Sequence, residues 1–310
     1  MNKQTKKAIH TNINKAIQNK QAIVALESAV ITHGLPYPIN IEVAKQMELI
    51  IQTEGAIPAT AAFIDGTLKI GLTGEELNTL GTNKNTHKIS RRDFGIAAAK
   101  RWSGGLTVAG TLIAAKHSGI HVFATGGIGG VHRGNIYDVS ADLQELSQSP
   151  IVVVCAGAKS ILDLPATLEV LETLGVPVVG YQTEEFPAFY ARESGLKTNF
   201  SAKNAKEIAE LFIHQKSFQL NNAILVVNPI PKEAAIPSEE MENYITQALE
   251  EAAKNKILGS AMTPFLLDKI ASLTKGKSLQ ANLALLKNNA KLAAEISREI
   301  SALLQPNLFI

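Results

Sequence analysis

The segment VFATGGIGGVHRGNIYDVSADLQELSQSPIVVVCAGAK, residues 122–159, decides the fold. Val122–Ala124 and Ile151–Cys155 are short apolar runs rich in β-branched residues, the pattern of strands buried on both faces of a parallel sheet. The first empties into Thr125-Gly126-Gly127-Ile128-Gly129-Gly130, with His132 and Arg133 next. The second empties into Ala156-Gly157-Ala158 and then Lys159. Between them lies Asp138-Val139-Ser140-Ala141-Asp142. In an open α/β sheet, ligands occupy the crevice beyond the carboxyl ends of the strands. Glycine turns, imidazole, guanidinium, carboxylates and an amine therefore share one rim, and that rim is the candidate site.

The rest of the composition sets bounds. With 310 residues, 45% hydrophobic content and a net charge of +2, the chain has ample material for one α/β core. Its charge, with no basic cluster interleaved with aromatics, argues against a nucleic-acid partner. No apolar run approaches the roughly 18–20 residues of a membrane span. Lysines near the N-terminus are not followed by the apolar stretch of a secretory signal. Cys155 is the only cysteine, so no disulfide forms within the chain, and its place at a strand end reads as a small buried hydrophobe. A reducing, cytoplasmic setting is expected.

Working outward, Ile9, Ile13, Ala16 and Ile17 keep helical spacing, so residues 1–20 are expected to form a helical extension. Ile23–Leu26 is an apolar strand followed directly by Glu27. A carboxylate there is costly unless it is satisfied by the backbone or used, and the loop His33-Gly34-Leu35-Pro36-Tyr37-Pro38 beyond it suits ligand contacts. Ile41–Thr53 is helical, Ala61–Ile70 is a hairpin turning at Asp65-Gly66, and Thr73–Leu80 is a short capped helix. Residues 87–93 (HKISRRD) form a polar segment before a helix. Residues 103–110 precede a helix over Thr111–Lys116 whose N-terminus could meet an anion. Further on, Ile161–Leu174 is a helix broken near its start by Pro165, Val176–Tyr181 and Ala223–Val227 are strands, and Ala202–Ile213 is helical. Ser238–Leu304 is mostly helical, with loops or caps at Thr263–Leu267 and Gly276–Asn282. No repeat, low-complexity tract or linker interrupts this order. It describes one domain over residues 1–310, an α/β/α sandwich around a largely parallel sheet.

The chemistry narrows from here. Gly127-Ile128-Gly129-Gly130-Val131-His132 places His where a dinucleotide fingerprint needs Gly or Ala, and no acid follows at the required distance, so a nicotinamide enzyme is disfavoured. The run still exposes amides which, with His132 and Arg133, suit a phosphate. Asp138 and Asp142, four residues apart, are oxygen donors suited to Mg²⁺ or Mn²⁺ rather than Zn²⁺, although turns and caps use such aspartates too. Lys159 either opens a helix at the surface or, desolvated beside other cations, forms an imine with a sugar aldehyde while Glu27 donates a proton. Two readings stay open on residues alone: an enzyme whose lysine forms an imine with a sugar aldehyde, such as a phosphosugar aldolase or isomerase, and a non-catalytic sugar-phosphate sensor.

VALESAVITHGLPYPIN, KISRRDF, FATGGIGGVHRG, DVSADL, VCAGAKSILD, NPIP, TPFLL and GKSLQANLALLKNNA, in this order from about Ile23 to Ala290, resemble the pseudouridine-5′-phosphate glycosidases, the indigoidine synthase A-like family. The resemblance implies an α/β/α sandwich assembled as a homotrimer with a divalent metal, commonly Mn²⁺. It also implies reversible cleavage of pseudouridine 5′-phosphate to uracil and ribose 5-phosphate, a step of pseudouridine degradation. Matched motif by motif, Glu27 would be the proton donor, Lys159 the covalent lysine and Asp138 the metal ligand. Lys88, Val108, Ser140, Ala141 and Asp142 would contact substrate, as would His132 and Asn282. The stretch Gly134–Tyr137 is shorter than the family pattern, and no fused sugar-kinase domain is expected.

Overall fold

The structure, a computed structural model, describes residues 7–257 and 262–305. In chain order its elements are β1 (Lys7–Ile9), α1 (Thr11–Gln18), β2 (Ile23–Leu26), a π-helical turn (Val30–Gly34), α2 (Ile39–Thr53), β3 (Ile57–Ile64), β4 (Thr67–Ile70) and α3 (Gly74–Thr82). Then come β5 (His87–Ile89), a 3₁₀ turn (Arg91–Asp93), α4 (Phe94–Lys100), β6 (Gly104–Leu106), α5 (Val108–Lys116), β7 (Val122–Ala124), β8 (Val131–His132), β9 (Asn135–Val139) and α6 (Ala141–Leu146). The remainder is β10 (Val152–Cys155), β11 (Leu162–Asp163), α7 (Leu164–Thr173), β12 (Val178–Tyr181), β13 (Phe200–Ala202), α8 (Ala205–Ser217), β14 (Ile224–Val227), a 3₁₀ turn (Lys232–Ala234), α9 (Ser238–Lys254), α10 (Met262–Leu273) and α11 (Lys277–Leu304).

One mixed sheet runs β1-β4-β3-β2-β7-β10-β14-β12-β13, with β6 and β5 branching from β3. Its centre, from β3 through β2, β7, β10 and β14 to β12 and β13, is wholly parallel. The central strands β2, β7, β10 and β14 are buried along their whole length, as their continuous apolar character requires. α11 packs on β2, β7 and β10 with α2 and α8 beside it, while α5 packs on β2, β3 and β7 and carries α6 against itself. The largely parallel sandwich expected from the sequence is the observed architecture. No helix among the described residues is long and apolar enough to cross a membrane.

Several boundaries differ for local physical reasons. Ile9 belongs to β1, which pairs in parallel with β4, so the opening is a strand followed by a helix. Pro165 stands in the first turn of α7 beneath an Asp163 cap, a position that needs no amide hydrogen bond, so it starts the helix rather than breaking it. β5 and β6 are short strands in stretches where the sequence marked none, and His87 stacks on Trp102 at a centroid distance of 3.9 Å. α5 starts at Val108, capped by Thr107, rather than at Thr111. Phe265–Leu267 lie within α10, and of the segment Gly276–Asn282 the glycine is the expected cap, that of α11, while Lys277–Asn282 lie within that helix. Beside the main sheet, a small antiparallel sheet β11-β8-β9 carries His132 and Asp138.

Candidate active site

Strand register brings the first two chemical groups together. Leu26 pairs with Ala124, and Ala124 with Val154, so Glu27 and Thr125 leave adjacent strands at the same level. The buried Thr125 hydroxyl donates to Glu27 Oε1. Burial pushes the Glu27 carboxyl above its ordinary value. Lys159 and the Thr125 hydrogen bond pull it down, Asp142 adds to the rise, and Lys88 opposes it. A carboxyl raised in this way stays protonated to higher pH and can act as an acid.

β10 ends one strand further on, and its continuation crosses to the glycine run. Ala158 bridges Ile128, and the Lys159 amide donates to Ile128 O at 3.1 Å. Lys159 thereby enters the same cavity as Glu27. Its ammonium makes no hydrogen bond or ion pair with a described residue. Lys88 reaches the cavity from β5 with much of its side chain exposed. Desolvation at the cavity, then the positive charge of Lys159, lowers its pKa, while Asp142 and Glu27 raise it.

Asp142 joins three walls. Its Oδ1 accepts from Ala109 N in the first turn of α5, and its Oδ2 accepts from Gly129 N, both at 2.9 Å. Ser140 caps α6 by accepting from Asp142 N. Thr107 and Val108 thus open α5 at the cavity wall, where the helix N-terminus favours negative charge. Only part of the glycine run is open for the phosphate contact expected of it, because three amides in and beside it have partners within the chain. The Ile128 amide donates to Gly157 O, the Gly129 amide to Asp142 and the Val131 amide to Thr167. Its glycines instead admit close neighbours: a Cβ on Gly127 would lie 2.6 Å from the Phe189 ring, and one on Gly129 2.2 Å from Ser140 Oγ.

Glu27, Lys88, Val108, His132, Ser140, Asp142, Lys159 and Asn282 all line this cavity. Ala141 does not; it is exposed at the first position of α6. Asp138 is half-buried on β9, at the far side of the tight turn through Gly134 (φ +77°), and is not part of the lining. Among the described residues no three His, Cys, Asp or Glu side chains gather as a metal cage. The expected anion ligand Arg133 is occupied elsewhere: it donates to Ser160 O and Leu162 O and pairs with Glu242.

Other lining residues escaped the sequence reading. Val30 comes from the π-helical turn, a distortion frequent at functional sites but without a sequence signature, whereas His33 and Gly34 at the end of that turn belong to the loop expected to make ligand contacts, and they do line the cavity. His33 Nδ1 pairs with Thr32 Oγ1 at 2.6 Å, and burial together with the charge of Lys88 lowers its pKa. Ser90 and Thr107 sit beside expected residues. Leu162, Phe189, Leu267 and Leu286 form the apolar wall, and these distant leucines carry no signal separable from core packing.

Residues 12–299 match the family model described as indigoidine synthase A like protein. The chain belongs to the indigoidine synthase A-like family. It is 53% identical over 291 residues to a pseudouridine-5′-phosphate glycosidase of Geobacillus kaustophilus, covering 93% of this chain and 97% of that one. A pseudouridine-5′-phosphate glycosidase of Staphylococcus aureus is 50% identical over 294 residues, covering 94% and 96%. Among solved structures, the prealnumycin C-glycosynthase AlnA in complex with ribulose 5-phosphate superposes with a TM-score of 0.89 at 34% identity, over 97% of this chain and 98% of that one. An indigoidine synthase A-like protein of Thermotoga maritima gives 0.86 at 37% identity, over 91% and 94%. The family therefore spans the cavity walls from Glu27 to Asn282.

Proposed function

We propose that this chain reversibly cleaves the carbon–carbon glycosidic bond of pseudouridine 5′-phosphate, giving uracil and ribose 5-phosphate. The observation that carries the reading is the pairing, in one cavity, of a carboxyl raised by burial with a lysine close enough to perturb it. The names borne by the relatives, at about half identity over nearly full length, support the substrate. Because the base is joined through carbon, protonating a glycosidic nitrogen cannot release it, and the usual pair of carboxylates does not suffice. With the furanose opened and O4′ protonated, the Lys159 amine holds C1′. Glu27 then gives its proton to uracil C5, the bonding pair of C1′–C5 returns to the base, and the nitrogen lone pair leaves C1′ as an iminium. Water adds to the iminium, freeing ribose 5-phosphate and the amine. Lys88 and the N-terminus of α5 supply positive potential for the 5′-phosphate. The Asn282 amide, which hydrogen bonds to no described residue, together with His132 and Ser140, offers polar contacts to the sugar or base.

A divalent ion, Mn²⁺ by the family resemblance, belongs to this reading. Asp138 would hold it through one carboxylate, and because no cluster of three His, Cys, Asp or Glu surrounds it among the described residues, the ion would be held mainly through water. Held at Asp138, such an ion would supply fixed positive charge and oriented water. Mn²⁺ titration followed by electron paramagnetic resonance should show one bound ion that Asp138→Ala loses. Retention of that ion would remove Asp138 from the role. The proposal also places the protein in the cytoplasm as a homotrimer, and the exposed apolar side chains Ile136, Tyr137 and Val139 on β9 support contact between copies.

The test is release of free uracil from pseudouridine 5′-phosphate. Unphosphorylated pseudouridine should be cleaved very poorly. Absence of uracil would refute the activity, and equal kcat/KM for both compounds would refute the phosphate requirement.

A further inference from the structure

We infer that Arg133 is the positioning residue for Lys159; the inference rests on the proposed role of Lys159 and adds what holds that side chain in place. Lys159 lies in irregular backbone between the Ala158–Ile128 bridge and the short strand β11. On its N-terminal side, Lys159 N is fixed to Ile128 O. On its C-terminal side the chain turns through Ser160 and Ile161, and the carbonyls of Ser160 and Leu162 are turned toward Arg133. Arg133 Nη2 donates to Ser160 O at 3.0 Å, and Nε donates to Leu162 O at 3.1 Å. Ser160 and Leu162 are 4% and 2% exposed, so both carbonyls need internal donors.

One planar guanidinium meets two carbonyls in fixed relative positions, which a single ammonium cannot reproduce. Its remaining donors pair with Glu242 on α9, which anchors the fork from behind. The backbone of Arg133 follows His132, whose strand β8 pairs with β11 through Leu162. The side chain of Arg133 and the pairing of its neighbour therefore clamp the same turn from one element. Relaxing that clamp would let the turn after Lys159 rotate and carry its amine out of line with C1′, where a displacement of about 1 Å can cost about 10²-fold in rate.

The experiment compares wild type with Arg133→Lys, Arg133→Ala and Glu242→Gln in three readouts. The first is steady-state cleavage of pseudouridine 5′-phosphate. The second is borohydride trapping of ribose 5-phosphate on Lys159. The third, which needs no substrate, is the pH profile of Lys159 acetylation by acetic anhydride, read by peptide mass mapping with the exposed Lys15 of α1, outside the cavity, as internal reference. Arg133→Lys should lower kcat and the trapping rate about tenfold while leaving KM within about twofold. It should displace the Lys159 acetylation profile and leave that of Lys15 unchanged. Added guanidinium should restore part of the loss in Arg133→Ala. Glu242→Gln, which keeps both carbonyl contacts, should stay near wild type. Unchanged Lys159 acetylation in both Arg133 variants would overturn the inference, as would a Glu242→Gln loss equal to that of Arg133→Lys. If wild type forms no ribose adduct and releases no uracil, the proposed activity falls, and the acetylation profiles still decide whether Arg133 positions Lys159.

Discussion

Glu27 illustrates how much a single position carries. Its raised carboxyl has consequences for activity and for stability, and their signs can be worked out separately. The acid form is the proton donor, so kcat/KM should fall as pH rises through the raised Glu27 value. For stability, a carboxyl whose folded pKa exceeds its unfolded value binds more protons when folded across the interval between the two. Stability is then fully present below the unfolded value and declines as pH rises through the folded one, where burial of the ionised form is imposed. Glu27→Gln should therefore lose about 10²–10⁴-fold in uracil release. The same variant should become progressively more stable than wild type in urea unfolding as pH rises across that interval. A stability difference independent of pH would show that the Glu27 carboxyl is not raised. Cys155 is the contrasting case: burial pushes its thiol up to about 12, so it is inert packing despite its place on the strand that leads to Lys159.

Among the elements, α11 matters most to the site. Its Asn289, fully buried, donates to Thr125 O at 2.8 Å and accepts from Asn228 Nδ2 at 3.1 Å, tying the helix to the ends of β7 and β14. Because Thr125 in turn donates to Glu27, the asparagine supports the acid through one intermediate residue. Asn289→Ala would leave a buried carbonyl and a buried amide without partners, and should cost about 1–3 kcal/mol in urea unfolding. It should also lower kcat more than it raises KM; a purely structural asparagine would cost stability alone. α6 has a comparable part on the opposite wall. Asp142 ties it to α5 and the glycine run, and one turn later the buried Glu145 accepts from Arg91, which follows the segment bearing Lys88 and Ser90.

For the whole molecule, the proposed homotrimer predicts a mass three times that of the chain in analytical ultracentrifugation. Ile136→Asp together with Val139→Asp on β9 should shift the protein toward monomer, and an unchanged mass would place the interface elsewhere. The central strands were legible in the sequence, because a strand buried on both faces must be apolar throughout, and Val122–Ala124, Ile151–Cys155 and Ile23–Leu26 are continuous apolar runs. Glu27 and Lys159 were legible for the complementary reason: charged groups at the ends of such runs stand out against them. Motif order carried the family. Contacts whose partners are distant in sequence were not legible. That Arg133 spends its guanidinium on Ser160 and Leu162, and that the glycine run makes room for Phe189 and Ser140, follow from which surfaces the folded chain presses together. The same holds for the strands β5 and β6, which exist because Ala62 and Phe63 offer a pairing edge rather than through strong propensity of their own. Local patterning determined the parallel core and its charged rim; only tertiary packing decided which rim side chains face the cavity, because that depends on partners on other elements of the fold, well separated along the chain.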